Sequence, residues 1–112
     1  MRMLDKKPPQ RKPRLQVPKP TLEELRASER AFNRAGTDFL KVDVATGLTL
    51  AKAALSSHDA EKRQRNQKSA RKAYDTIVRM LNKITPTEAD ARQLNDGLHQ
   101  LRADLIELGE IF

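Results

Sequence analysis

The sequence contains no cysteine and no tryptophan, and its 112 residues include only four glycines and three phenylalanines. Without cysteine the chain can form neither disulfides nor thiolate metal sites, so a reducing compartment is allowed. No stretch approaches the roughly 20 consecutive apolar residues that a membrane span needs. The first residues are charged and proline-rich where a secretory signal would be apolar. We therefore expect a cytoplasmic protein that makes no membrane contact.

Basic charge is concentrated near the N-terminus. The net charge is +7, but residues 1–20 hold seven basic residues and one acidic residue, whereas residues 21–112 hold 15 basic and 14 acidic residues. Residues 1–20 also hold five of the six prolines. Because like charges repel and proline removes backbone donors, we expect a disordered basic arm over 1–20 and a single folded domain over 21–112.

Apolar residues recur at helical spacing through the whole folded domain. They predict four helices, at about residues 21–35, 38–56, 58–84 and 86–109. Thr21 and Glu24 match a capping box at the first helix, and Gly36 is a natural stop because glycine readily adopts the left-handed conformation at helix ends. The fold class is all-α: a small antiparallel bundle of three main helices plus a shorter N-terminal helix.

The stretch from Val42 to Leu50 also alternates as a strand would. We favour a helix there, because the apolar pattern continues through the next alanines and a lone strand would have no partner. Gly47 weakens that helix by up to ~1 kcal/mol relative to alanine, and it permits a neighbouring helix to approach closely.

The widest apolar stripe runs from Ala70 to Ile84, so we expect this segment in the middle of the bundle, packed on two sides. Thr85 and Glu88 match a second capping box, with Pro86 at the first helical position. The third helix is basic and the fourth is acidic, which favours an antiparallel hairpin of the two, although exposed ion pairs contribute only ~0–1 kcal/mol each.

The fourth helix carries a heptad seam, and we expect Gly109 to end that helix. The seam consists of Ala91, Leu94, Leu98, Leu101, Leu105, Leu108 and Phe112. Packing inside the bundle is favoured over a dimer, because the second and third helices have stripes of their own to cover.

No catalytic constellation is present in the sequence. His58 and His99 are isolated, the carboxylates are spread over solvent faces, and there is neither a nucleophile motif nor a glycine-rich phosphate loop. We expect no enzyme activity, no cofactor and no metal site.

A groove between the second and third helices is the candidate site for a partner helix. Its predicted lining residues are Leu48, Leu50, Tyr74, Ile77 and Val78. Arg71 and Asp75, four residues apart, predict a local ion pair beside it. If the first helix packs only loosely, Leu22, Leu25 and Phe32 mediate self-association instead, so the chain is expected to be a monomer or a weak homodimer.

Phosphate binding is the competing interpretation. The candidate contacts are Arg11, Lys12 and Arg14 in the arm and Arg65, Lys68 and Lys72 on one face of the third helix. Such contacts give salt-dependent, sequence-independent affinity for nucleic acid. No aromatic residue is interleaved for base stacking, so a solvated face is the stronger interpretation.

Three resemblances accompany this pattern. Ala73, Ile77 and Pro86 resemble positions in the second helix of a tetratricopeptide repeat, whose W…L-G…Y half is missing upstream. Residues 38–112 resemble microtubule-interacting-and-transport domains in size and three-helix plan, which implies a binding module. The blocks D-V-A-T-G-L-T-L-A and A-R-K-A-Y-D-T-I resemble those of small uncharacterised bacterial helical proteins, which implies no function. The leading hypothesis is a non-enzymatic helical protein-interaction module.

Overall fold

The computed structural model describes residues 18–112, which form three α-helices and no strand. Helix α1 spans Leu22–Ser56, α2 spans Ala60–Leu81 and α3 spans Glu88–Glu107. The all-α class is confirmed, and the stretch that could also have been a strand is helical. Most of the predicted basic arm, residues 1–17, lies outside the described residues.

The start of α1 follows the sequence signal, and α2 begins two residues later than predicted. Thr21 Oγ1 accepts from the backbone N–H of Glu24 at 3.1 Å, and Glu24 Oε1 accepts from the Thr21 N–H at 3.3 Å. This is the predicted capping box. Asp59 caps α2 by accepting from two backbone N–H groups, at 3.0 and 3.3 Å.

The predicted cap of the last helix is wrong by two residues. Thr87, not Thr85, is the N-cap of α3, and its hydroxyl oxygen accepts from the Asp90 N–H at 3.2 Å. The Thr85 N–H instead donates to the side-chain oxygen of Asn33 at 2.9 Å, which ties the α2–α3 connection to α1. This tertiary contact holds Thr85 outside the helix.

The predicted break at Gly36 is also wrong, since the first two predicted helices are one continuous α1 of 35 residues. Gly36 is needed for a close approach: a Cβ added there would lie 2.8 Å from Ile84 Cγ2. Thr37 is buried, and its hydroxyl donates to the Asn33 carbonyl at 2.7 Å within the helix. The glycine therefore makes room for Ile84 in the α2–α3 connection and does not stop α1.

Helix α1, not the Ala70–Ile84 segment, is the element on which the bundle is built. It packs extensively on both α2 and α3, whereas α2 and α3 touch each other least. Along α1, Gly36 meets Ile84 and Gly47 meets Ala73, so α2 runs antiparallel to it. Helix α3 runs parallel to α1, because Lys41 pairs with Asp90 at one end and Gly47 meets Leu101 further along.

The core lies between the second half of α1 and the other two helices. It forms two clusters joined by the partly buried Leu48 and Tyr74. The buried apolar residues are Leu40, Val44, Ala51, Ala54, Ala70, Ile77, Ile84, Leu94, Leu98, Leu101 and Leu105. The four central leucines of the α3 seam are all among them, as expected for internal packing. Phe112 is not on the seam, because α3 ends at Glu107 and Gly109, at φ +102°, redirects the chain.

Two glycines bring α1 and α3 close together. A Cβ added to Gly47 would lie 2.8 Å from Leu101 Cδ2, as its predicted role in close helix packing requires. A Cβ added to Gly97 would overlap Cγ1 of Val44. Valine is stiff about its first side-chain torsion, so Val44 has little freedom to yield.

We predict that Gly97→Ala destabilises the protein although alanine is the better helix former. The helix propensity gain is up to ~1 kcal/mol, whereas overpacking a core typically costs about 1–3 kcal/mol. Urea unfolding monitored by circular dichroism measures the difference. Adding Val44→Ala should make the Gly97→Ala change less harmful than it is alone, because the clash is removed. A Gly97→Ala protein more stable than the parent would contradict this account of the interface.

Candidate functional site

The most unusual surface of the described chain is a line of large apolar side chains on the outside of α1. Leu25 is 51% exposed, Phe32 59%, Phe39 52% and Val42 64%. Together with the exposed Ala35, these residues follow one another along the chain at intervals of 7, 3, 4 and 3 residues. These are the intervals between the a and d positions of a heptad repeat. We call these five residues the α1 outer face.

The outer face points away from the bundle. At about 100° per residue its members fall within an arc of roughly 100°, and the core residues Leu40, Val44 and Ala51 fall on the other side of the helix. From Leu25 to Val42 the line is roughly 26 Å long at 1.5 Å per residue. The helix therefore has two apolar stripes, of which the bundle covers one.

The first third of α1, from Leu22 to Phe32, has no packing partner within residues 18–112. Every residue from Leu22 to Phe32 is exposed, and close packing begins near Gly36 and Thr37. Leu22, 63% exposed, lies about 60° around the helix from Leu25, in line with the core residue Leu40. This is the loose first helix that the sequence raised as an alternative, although it is continuous with the core helix.

The predicted partner groove is not assembled as a single open surface. Ile77 is fully buried in the core, and Leu48 and Tyr74 bridge the two core clusters. Leu50 packs beside the second cluster, whereas Val78 is 41% exposed on α2. A partner would not reach Ile77 in this fold.

The predicted phosphate contacts are only partly described. Arg65, Lys68 and Lys72 are exposed on α2, and none of them forms an ion pair within residues 18–112. Arg11, Lys12 and Arg14 lie outside the described residues. The basic face of α2 is thus accessible and uncompensated.

A cleft of about 770 Å³ lies where α1 crosses the α2–α3 connection. Its charged lining residues are Arg30, Arg34, Asp38, Lys41 and Asp90. Lys41 Nζ lies 2.7 Å from Asp90 Oδ1 and joins α1 to α3. This hydrogen-bonded ammonium, followed by the side chain of Thr87, holds the pKa of Asp90 below its ordinary value. A carboxyl group with a lowered pKa stays ionised near neutrality and is not a proton donor.

The residues after α3 fold back onto α2. Arg71 Nη1 donates to Glu110 Oε1 and to the Ile111 carbonyl, each at 3.0 Å, in addition to its predicted pairing with Asp75 at 3.2 Å. Glu110 also accepts from Gln67 at 2.6 Å. The sequence predicted the Asp75 pair and missed the longer-range contacts, which lie 39 and 40 residues away along the chain.

An aromatic contact completes this C-terminal strap. The rings of Phe112 and Tyr74 meet edge to face with centroids 4.9 Å apart. The guanidinium carbons of Arg71 and Arg102 lie 4.1 and 4.9 Å from the Phe112 ring centre. The Phe112 ring therefore packs against Tyr74 and lies next to two guanidinium groups.

Residues 18–112 contain neither a metal-binding cluster nor a helix suited to cross a membrane. Both histidines are exposed, and no group of three or more histidine or acidic side chains is placed to hold a metal ion there. None of the three helices combines the length and the apolar character required to cross a membrane. Asp104 is buried, and its Oδ1 accepts from Gln100 at 2.9 Å, while its Oδ2 has no hydrogen-bond partner within residues 18–112.

Comparison with known proteins gives no relative: no protein-family model, no curated protein and no solved structure matches the chain.

We predict that Asp90→Asn lowers the free energy of unfolding at neutral pH and that this loss shrinks in acid. The pKa of Asp90 is depressed in the folded protein, so its contribution is complete above the ordinary value of 3.8 and is lost as the pH falls through the lower folded value. Urea midpoints measured from neutral pH to about pH 2 test the sign. Asp96→Asn, at an exposed residue without an ion pair, is the control. A deficit in Asp90→Asn that grows toward low pH would contradict the assignment.

Proposed function

We propose that the protein is a non-enzymatic helical interaction module that binds another protein through the α1 outer face. The observation that carries the proposal is the line of four large side chains, each more than half exposed, at a and d spacing. A fully buried side chain of this size stabilises by about 1.5–3 kcal/mol, so a partner that covers the line gains substantially. Contiguous exposed apolar surface on a folded domain is typical of binding sites.

The absence of an assembled catalytic site among residues 18–112 is consistent with this proposal. The cleft where α1 crosses the α2–α3 connection contains a carboxylate already paired with Lys41, and neither histidine lines that cleft. The proposal is accordingly one of binding and not of catalysis.

Site-specific photo-cross-linking in the cells of origin tests the proposal. A photoreactive phenylalanine analogue replaces Phe32 or Phe39, and as controls Lys52 on the far side of α1 or the exposed Arg92 on α3. We expect one and the same protein to be cross-linked from positions 32 and 39 and not from 52 or 92. Equal products from all four positions, or none above background, would refute the proposed surface.

Nucleic-acid binding is the second candidate, and the specific observation in its favour is the accessible, unpaired set of Arg65, Lys68 and Lys72. Each cation that contacts a phosphate adds about 0.9 to the slope of log affinity against log salt. These three cations would therefore give a steep salt dependence.

If this candidate is correct, we predict that the double variant Lys68→Glu with Lys72→Glu binds a short labelled duplex more weakly. The slope of log affinity against log salt should also fall by about 2, because two phosphate contacts are lost. Lys83→Glu, an exposed charge change outside this face, should matter less. Fluorescence anisotropy over a salt series gives both quantities. Equal affinities for the parent and the double variant would remove nucleic acid from consideration at this face.

A further inference from the structure

The chemistry of the partner can be inferred from the charges that border the α1 outer face; the inference rests on the proposed function. The bordering side chains are Glu24, Glu29, Asp38 and Asp43. In heptad terms they occupy the g and e positions, two on each side of the apolar line. None of them forms an ion pair within residues 18–112, although Glu24 also closes the capping box.

The cations of this half of α1 lie on the opposite side of the helix. Arg26, Arg30 and Arg34 are each more than about 100° around the axis from the middle of the outer face. Lys41 is also on that side, where it is paired with Asp90. The outer face is therefore an apolar line with acidic borders, of which Asp38 also lines the cleft that holds Arg30, Arg34 and Lys41.

These borders disfavour a second copy of the chain as the occupant. In a parallel pair, Glu24 would face the second copy's Glu29 and Asp38 its Asp43, because g positions meet e positions of the next heptad. In an antiparallel pair, g meets g and e meets e, so acidic residues again face acidic residues. Like charges at these positions are unfavourable and select against such pairing.

The shape of the line is also that of a helix-binding seam. The a positions are large, with Leu25, Phe32 and Phe39, whereas Ser28 and Ala35 at the d positions between them are small. Large side chains from a facing helix fit over these small residues as knobs into holes.

We propose that the α1 outer face binds an amphipathic helix of another protein whose apolar a and d residues are flanked by lysine or arginine. The apolar line supplies the contact area, and the acidic borders set the choice of partner and its register. A helix of about three heptads matches the roughly 26 Å length of the line.

The test uses the full chain and two synthetic helical peptides of about three heptads, both with leucine at a and d. One peptide has lysine at e and g, and the other has glutamate there. We expect the lysine peptide to bind at least about ten-fold more tightly at low salt, with the gap narrowing at high salt because exposed charges are screened. Equal affinities for the two peptides, or no binding of either, would overturn the proposal.

Charge reversal on the protein provides the matched variants. Glu29→Lys with Asp38→Lys should reverse the preference between the peptides, whereas Asp96→Lys with Glu107→Lys, an equal charge change at exposed residues of α3, should leave the preference in place. Phe32→Ser with Phe39→Ser should abolish binding of both peptides. Unchanged preference in the first variant would refute the role of the acidic borders.

The remaining outcomes separate this inference from the proposed function. If both peptides bind equally and the phenylalanine variant loses both, the outer face is a binding surface but its partner is not selected by charge. A concentration-dependent dimer in sedimentation, lost in the phenylalanine variant, would make a second copy the occupant. Tighter peptide binding after Arg11→Gln, Lys12→Gln and Arg14→Gln would make the chain's own basic arm the occupant. Either of these last results overturns the proposal.

Discussion

The structure depends on how closely the backbone of α1 can be approached along its second half. Gly47 allows Leu101 and Ala73 to lie against that backbone, and Gly97 does the same on α3 for Val44. The short side chains of Ala51 and Ala70 extend this close packing toward the end of α1. Because α1 contacts both neighbours while they touch each other least, its register with each of them fixes the whole bundle. The larger side chains of the core, such as Ile77 and Ile84, fill the space at the other end.

Strong apolar periodicity in the sequence predicted the helices correctly. The helix ends predicted at Gly36 and Thr85 were wrong, because tertiary contacts override the local signals at both residues. Glycine is a common helix stop, but Gly36 lies inside α1. Position 36 needs a residue without a side chain because Ile84, 48 positions later, packs against it. Thr85 matches the capping-box pattern with Glu88, yet its N–H is bound to Asn33 and Thr87 is the N-cap. Gly109, by contrast, was predicted correctly because a positive φ at a helix end is a local property.

The candidate surface was harder to predict than the fold because α1 carries two apolar stripes. Periodicity finds both, but it does not reveal which one the bundle covers. The groove prediction included Ile77, which is buried in the core, and it did not include Phe39 and Val42, which are exposed on α1. Phe112 was likewise read as part of the α3 seam, since nothing local indicates that its ring packs against Tyr74 and Arg71.

Because α1 is continuous through Gly36, one helix contains a part stabilised by tertiary packing and a part stabilised by local interactions alone. The second half is held by burial, whereas the turns from Leu22 to about Phe32 rely on local terms: the Thr21 cap, side-chain propensities, and propagation from the anchored half. Amide protection against hydrogen exchange should therefore decline toward Thr21, since a helix without tertiary packing opens by fraying. A ligand that covers these turns binds more weakly by the free energy needed to order them. Substitutions at the Thr21 cap would therefore change the affinity without any contact between the cap and the ligand.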